Sequence, residues 1–298
     1  MIAFVDSHHH LWDVERNHYP WLRETDHDRG WGDWSALRKS YLAADLLADA
    51  AGLPLVKSVH VQANFDPTDP VGETRWLHEV AEDPASRGLP HGVVAFADLS
   101  APDAERVLDA HQEFPRMRGV RQVLNRHPDP KLNRAPADYL ADPVWRRMAG
   151  RLAARGLSFD AQVYHHQMAD LFELARLNPD LVIVLDHIGM PAERDAENIA
   201  AWREGIARLS DAPNINVKLS GFGMVDLHWT EESIRPFVLH CIDRFGPERA
   251  MFGSNFPVDR LMSDYRRLWR AYDTLTADFS DDERRMMFSE TAERVYRV

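Results

Sequence analysis

The stretch Phe4-Val5-Asp6-Ser7-His8-His9-His10 carries an apolar run straight into an acid and three imidazoles. Side chains alternate along an extended chain, so His8 and His10 aim to one side. Two imidazoles directed into one pocket suit a divalent metal as paired ligands. A second apolar run ends Val184-Leu185-Asp186-His187-Ile188-Gly189 and puts another histidine at a strand terminus. Alone, such a histidine is more often structural; beside a His-x-His pair, His187 reads as part of the same site. A third run ends Met251-Phe252-Gly253-Ser254-Asn255-Phe256-Pro257-Val258-Asp259. Its glycine and proline predict a tight exit that leaves Ser254, Asn255 and Asp259 near the same place.

Such groups need a scaffold that gathers strand ends. Short β-rich runs recur at Ala3–Asp6, Val56–Val61, Gly92–Ala97, Gly119–Leu124, Leu157–Val163, Leu181–Leu185, Ile215–Leu219 and Arg249–Phe252. Amphipathic stretches such as 41–51, 142–155, 167–177 and 196–210 separate them; Leu171, Leu174, Ala175 and Leu177 show the three- and four-residue spacing. Strand–helix alternation repeated eight times, with no linker, predicts an α/β fold: a single distorted (β/α)8 TIM barrel spanning residues 1–298. An open doubly wound sheet is the rival, and no GxGxxG or Walker loop supports a nucleotide site. The longest aperiodic stretch runs from Leu11 to about Leu37 and holds Trp12, Tyr19, Trp21, Trp31 and Trp34. After the first strand of a barrel, it is placed over the active-site mouth as a lid. The plainer alternative is that its tryptophans bury the loop or make a subunit contact.

Inward side chains of a barrel strand share one parity. Asp6, His8 and His10 share it in the first strand, and Ser58, His60 and Gln62 in the second. The fourth offers Gly119 and Arg121, the fifth Ser158, Asp160 and Gln162, the seventh Asn216, Lys218 and Ser220. An ordinary lumen would show branched aliphatics there. Polar residues of one parity on several strands predict a polar pocket, with Arg121, Gln62, Gln162, Lys218 and His60 as substrate contacts.

Composition narrows the class. The chain has 298 residues, 45% of them hydrophobic, which is ample for a core. A net charge of −12 argues against nucleic-acid binding, which draws on clustered Lys and Arg. It leaves room for a small anionic substrate, because a few buried arginines can reverse the local potential. Cys241 is the sole cysteine, so neither an intramolecular disulfide nor a cysteine metal cluster is available. The first ten residues lack the basic start and apolar core of a secretory leader, and no apolar run approaches 18 residues. The expectation is a soluble cytoplasmic protein with a small-molecule substrate, no membrane partner, and homo-oligomerisation open.

Three segments together, Val5 to Trp12, Asp186 to Gly189 and Met251 to Pro257, make the chain resemble the amidohydrolase superfamily over essentially its whole length. Within it, the resemblance is to the amidohydrolase-2 branch of sugar lactonases and dicarboxylate-lactone hydrolases. It implies a distorted barrel with the site at the C-terminal strand ends. It also implies that His8 and His10 are the first-strand pair, that His187 is the sixth-strand imidazole, and that Arg121 meets a substrate oxygen or carboxylate. The chain departs from the family pattern at Asn255, where the resemblance calls for an aspartate that binds metal and activates water. An amide takes no proton at neutral pH, although its oxygen still binds a metal or orients water. His187, Asp259 and Asp160 are the available bases, an imidazole being best suited.

The first expectation is therefore a hydrolase opening a small lactone of a sugar acid or of aromatic catabolism, with His187, Asn255 and Asp259 as catalytic residues. One divalent metal such as zinc, on His8, His10 and His187, is one route, and metal-independent hydrolysis is the other. A metal-dependent decarboxylase or hydratase of the same superfamily is the second reading. A barrel that binds a sugar acid without turnover is the third.

Overall fold

Eight short strands alternate with helices along the chain: β1 (Phe4–His9), β2 (Leu55–Val61), β3 (Gly92–Ala95), β4 (Met117–Val123), β5 (Ser158–Gln162), β6 (Ile183–Leu185), β7 (Ile215–Leu219) and β8 (Ala250–Phe252). In this computed structural model, which describes residues 1–23 and 30–298, the strands pair in parallel in the order β1 to β8. Parallel neighbours require a crossover. Seven helices lie in the crossovers, α1 (Ala43–Asp49), α2 (Gly72–Glu82), α3 (Ala104–Gln112), α4 (Pro143–Arg151), α5 (Met168–Leu177), α6 (Ala196–Ser210) and α7 (Glu231–Phe245), and α8 (Tyr265–Leu275) follows β8. The ring closes just past β8, where Asn255 N–H donates to His8 O and His10 N–H donates to Phe256 O, both at 2.7 Å. This is the expected (β/α)8 barrel, distorted at its seam. Among the described residues no helix is long and apolar enough to cross a membrane.

Local chemistry sets the element bounds. α4 starts where Asp142 caps the Val144 N–H and Pro143 fixes the first helical residue. α6 starts where Asp195 accepts from the Glu197 and Asn198 N–H groups. α5 buries Leu171, Leu174 and Ala175, whereas Leu177, expected on the same face, is 58% exposed at the last helical position. α1 begins two residues later than its apolar pattern, because Tyr41 pairs by backbone with Trp12 and staples the two ends of the aromatic loop. Residues 24–29 of that loop lie outside the described residues.

Two expectations about strand faces fail, each for a stated reason. The four residues Asp6 to His9 of β1 match the three residues Ser58 to His60 of β2, a bulge at Ser7 and His8. The extra residue puts Asp6 on the opposite face from His8 and His10. Asp6 accepts from Ser254 and from Tyr265 of α8, outside the barrel. In β2 it is Val59 and Val61 that enter the lumen, in one cluster with Val5, Val94, Val184 and Met251. Ser58 and His60 face the helices instead. The β4, β5 and β7 parities match the expectation.

Beyond α8 come α9 (Asp281–Arg285), a π-helical turn and α10 (Thr291–Tyr296), none of which the apolar spacing had suggested. Ala292, Val295 and Tyr296 of α10 join the lumen valines and plug the N-terminal end of the barrel.

Candidate active site

At the opposite, C-terminal end of the strands lies a cavity of about 290 Å³. Its polar wall is made by His10, Arg121, Gln162, His187 and Asn255, and Trp12, Trp21 and Trp31 of the loop after β1 form its aromatic side. Trp12 is fully buried and donates from Nε1 to Lys39 O, while Trp21 Nε1 donates to Ala63 O. The first bond closes the loop on itself, and the second ties it to the chain just past β2.

His187 reaches the cavity by an unusual turn. His187, Ile188, Gly189 and Met190 all have positive φ (53°, 53°, 69° and 44°), and Trp202 Nε1 holds the turn by donating to Ile188 O at 2.7 Å. Consecutive left-handed residues are costly and persist only where the surroundings fix them. Here they bring Asp186 and His187 into the lumen together, which strict alternation forbids. Strand parity therefore missed Asp186 as a site residue; the adjacent Asp-His pair at a strand end was the available signal. His187 Nδ1 lies 2.9 Å from Ser220 Oγ, which leaves Nε2 for the cavity. A Cβ on Gly221 would lie 2.5 Å from that Nδ1, so the approach requires glycine there.

Beneath the cavity is a buried cluster of charge. His8 Nδ1 lies 3.3 Å from Asp186 Oδ1, and its Nε2 has no hydrogen-bond partner. Lys218 Nζ lies 2.5 Å from Asp160 Oδ2 and 3.4 Å from Asp186 Oδ1. Burial would raise the Asp186 carboxyl, but Lys218, His8 and His187 hold it well below the carboxylate range. Burial, against the pull of Asp186 and with Arg121 and Lys218 nearby, depresses His187 to about 3. Burial likewise lowers His8 and His10, so the imidazoles are neutral at neutral pH. One ligand atom each from His8, Asp186 and His187 falls within 4.8 Å of the others.

His10, placed with the metal ligands by its spacing, lies against Val61 and Asn255. Its Nδ1 lies 2.6 Å from Val61 O and its Nε2 3.3 Å from Asn255 Oδ1. A carbonyl only accepts, so Nδ1 carries the proton, and the Nε2 lone pair meets the Asn255 oxygen in a contact that is no hydrogen bond. Asn255, at φ 56°, donates from Nδ2 to Asp259 Oδ1 at 2.9 Å and keeps its oxygen on the cavity side. Asp259 is buried behind it, its pKa pushed by burial up to about 7, and does not line the cavity.

Of the expected substrate contacts, Arg121 and Gln162 line the cavity and bond each other, Arg121 Nη1 donating to Gln162 Oε1. Arg121 Nη2 is fixed on Gln62 O, and its Nε has no hydrogen-bond partner. Three others are not brought there. His60 is turned to the helix side of β2, where it accepts the Leu11 N–H and lies 3.4 Å from Glu73 of α2. Gln62 is occupied by Asn64, accepting its N–H and donating to its side chain. Lys218 is fully buried beneath the cavity floor.

The family model for amidohydrolases matches residues 5–298. Over 298 residues the chain is 45% identical to the uncharacterized protein y4mH of Sinorhizobium fredii, covering 100% of this chain and 99% of the relative. It is 30% identical over 307 residues to an L-fucono-1,5-lactonase of Burkholderia multivorans, covering 98% and 95%. Among solved structures, an amidohydrolase from Burkholderia multivorans with bound zinc superimposes with a TM-score of 0.81 at 27% identity, covering 100% of both chains.

Proposed function

The chain belongs to the amidohydrolase family, and we propose that it hydrolyses a small sugar-acid lactone at the C-terminal mouth of the barrel. One observation carries this reading: a neutral imidazole, His187, and a guanidinium, Arg121, face the same cavity of about 290 Å³. That volume is at the low end for ligand pockets and suits a single five- or six-membered ring. Trp12, Trp21 and Trp31 offer flat apolar faces to one side of such a ring, and Gln162, Asn255 and His10 offer polar atoms to its hydroxyls. The lactonase relatives support a cyclic ester over the decarboxylase and hydratase readings.

In the proposed reaction, water sits between His187 Nε2 and Asn255 Oδ1. His187 takes a proton as the water oxygen adds to the ring carbonyl. Arg121 stabilises the negative charge that develops on the carbonyl oxygen. The ring C–O bond then breaks, the departing alkoxide takes the proton from His187, and the open hydroxy acid is released. In this reading His187 Nδ1–H donates to Ser220 Oγ, and Nε2 is the acceptor. Asp259 acts through Asn255, holding its amide nitrogen so that the oxygen faces the water.

Two imidazoles and a carboxylate, one with an unpartnered buried nitrogen, fit a divalent ion such as zinc, with His8, Asp186 and His187 holding it. Such an ion would supply Lewis-acid polarisation and a more acidic water. His10, whose Nδ1–H is held by Val61 O, is not one of the three residues whose ligand atoms gather.

The test is a panel of aldonolactones assayed by acid release. His187→Ala should cut kcat by about 10²-fold or more with the circular dichroism spectrum unchanged. Wild-type turnover retained in that variant removes His187 from the reaction.

A further inference from the structure

We propose that Lys218 is the resident cation of this site, and that its ammonium keeps the His8–Asp186–His187 donor set weak toward divalent metal. Lys218 does not touch the cavity, and its side chain is wholly buried. Its Nζ is clamped at 2.5 Å by Asp160 Oδ2, which also accepts from Tyr296 Oη of the barrel plug at 2.7 Å. The ammonium lies 5.0 Å from the centre of the Tyr296 ring, on its face. From there it faces two of the three metal-ligand candidates, Asp186 Oδ1 and His8 Nδ1, each at 3.4 Å.

Two consequences follow from that position. The first is charge. Asp160 and Asp186 are balanced by Lys218 and by Arg121, whose Nη1 lies 4.0 Å from Asp186. A divalent ion on this donor set adds two charges beyond that balance, next to an ammonium that Asp160 holds in place. The second is the tautomer of His8. If His8 Nδ1 donates to Asp186, Nε2 keeps a lone pair and can ligate. If Lys218 donates to Nδ1, the ring proton moves to Nε2, and that nitrogen cannot bind a metal. Asp186 and Lys218 compete for the same nitrogen at 3.3 and 3.4 Å. Lys218 thus opposes the metal by charge and by proton placement, and leaves His8 Nε2–H as a donor toward the site.

The experiment needs no substrate, so its outcome is separate from that of the lactone reading. Zinc dissociation constants of the full chain are measured by competition with a chromophoric chelator. Lys218→Met removes the charge at nearly constant volume. Lys218→Gln keeps a donor for Asp160 and stands in if the first variant does not fold. Each should bind zinc at least about tenfold more tightly than wild type. Tyr296→Phe removes a hydroxyl and no charge, and should stay within about twofold. Nitrogen-detected imidazole spectra should show the His8 proton moving from Nε2 to Nδ1 in the lysine variants. Unchanged or weaker zinc binding in folded Lys218→Gln overturns the proposal. So does equal tightening in Tyr296→Phe, which would assign the effect to loosened packing.

Discussion

Asn255 and Asp259 show how a single residue type shifts the demands on its neighbours. Asn255 cannot accept a proton, so its value lies in the direction of its amide, and that direction is fixed by Asp259 from behind. The arrangement leaves a carboxyl fully enclosed, with Oδ2 lacking a hydrogen-bond partner and its pKa pushed up to about 7. Because the folded value lies above the unfolded one of about 3.9, the folded state holds the proton more tightly. Stability from this group is therefore fully present below the unfolded value and is lost as pH rises toward 7. An amide at 259 escapes that loss while still accepting from Asn255. Asp259→Asn should raise the melting temperature more at pH 8 than at pH 5, the difference corresponding to a few kcal/mol at most, since each pKa unit is worth about 1.4 kcal/mol. A gain that is the same at both pH values would show that folding does not raise the Asp259 pKa and that the carboxylate is ionised at both.

At the scale of elements, the site depends on loops that leave the strands in strained conformations. The turn after β6 is left-handed over four residues, and the turn after β7 must provide a glycine at 221, φ 70°, to let His187 in. Gly221→Ala forces both a disfavoured backbone and a clash with the imidazole. Its kcat should fall at least about tenfold, because a displacement near 1 Å at a reacting group is enough for that. Gly156, also left-handed at φ 67° but with nothing within 4 Å of a Cβ, is the matching control. Gly156→Ala should lose about 1 kcal/mol of stability from backbone strain and keep its kcat. Equal losses of kcat in both variants would mean that global strain, and not the position of His187, limits turnover.

For the whole molecule, the two ends of the barrel are chemically opposite. The C-terminal mouth is polar, and the N-terminal end is sealed by α10, whose Tyr296 packs among Val5, Val59 and Val184 while donating to Asp160. The plug is the last element of the chain and completes a lumen whose valines come from strands up to 290 residues away in sequence. Tyr296→Ala opens a cavity there and strips Asp160 of a donor. It should cost about 4 kcal/mol, read as a lower urea midpoint at unchanged slope. A midpoint shift equivalent to less than about 1 kcal/mol would show that the plug adds little to the barrel.

The barrel and the end at which its cavity lies were legible in the residues alone, because both rest on local rules. Hydrophobic alternation marks strands, three- and four-residue spacing marks helices, and eight repeats of the pair leave few architectures. The same alternation correctly directed Arg121, Gln162 and Asp160 inward, and the histidines at the ends of β1 and β6 marked the mouth. Other features depended on events that no local rule contains. A one-residue bulge separated Asp6 from His8, and β2 turned its valines inward and His60 out. Four left-handed residues brought Asp186 and His187 to the same side. Which imidazoles lie beside Asp186, and which lysine pairs with it, was decided by contacts between strands far apart in sequence. Side-chain periodicity is a property of one strand, whereas a donor set and its charge balance are properties of the closed ring.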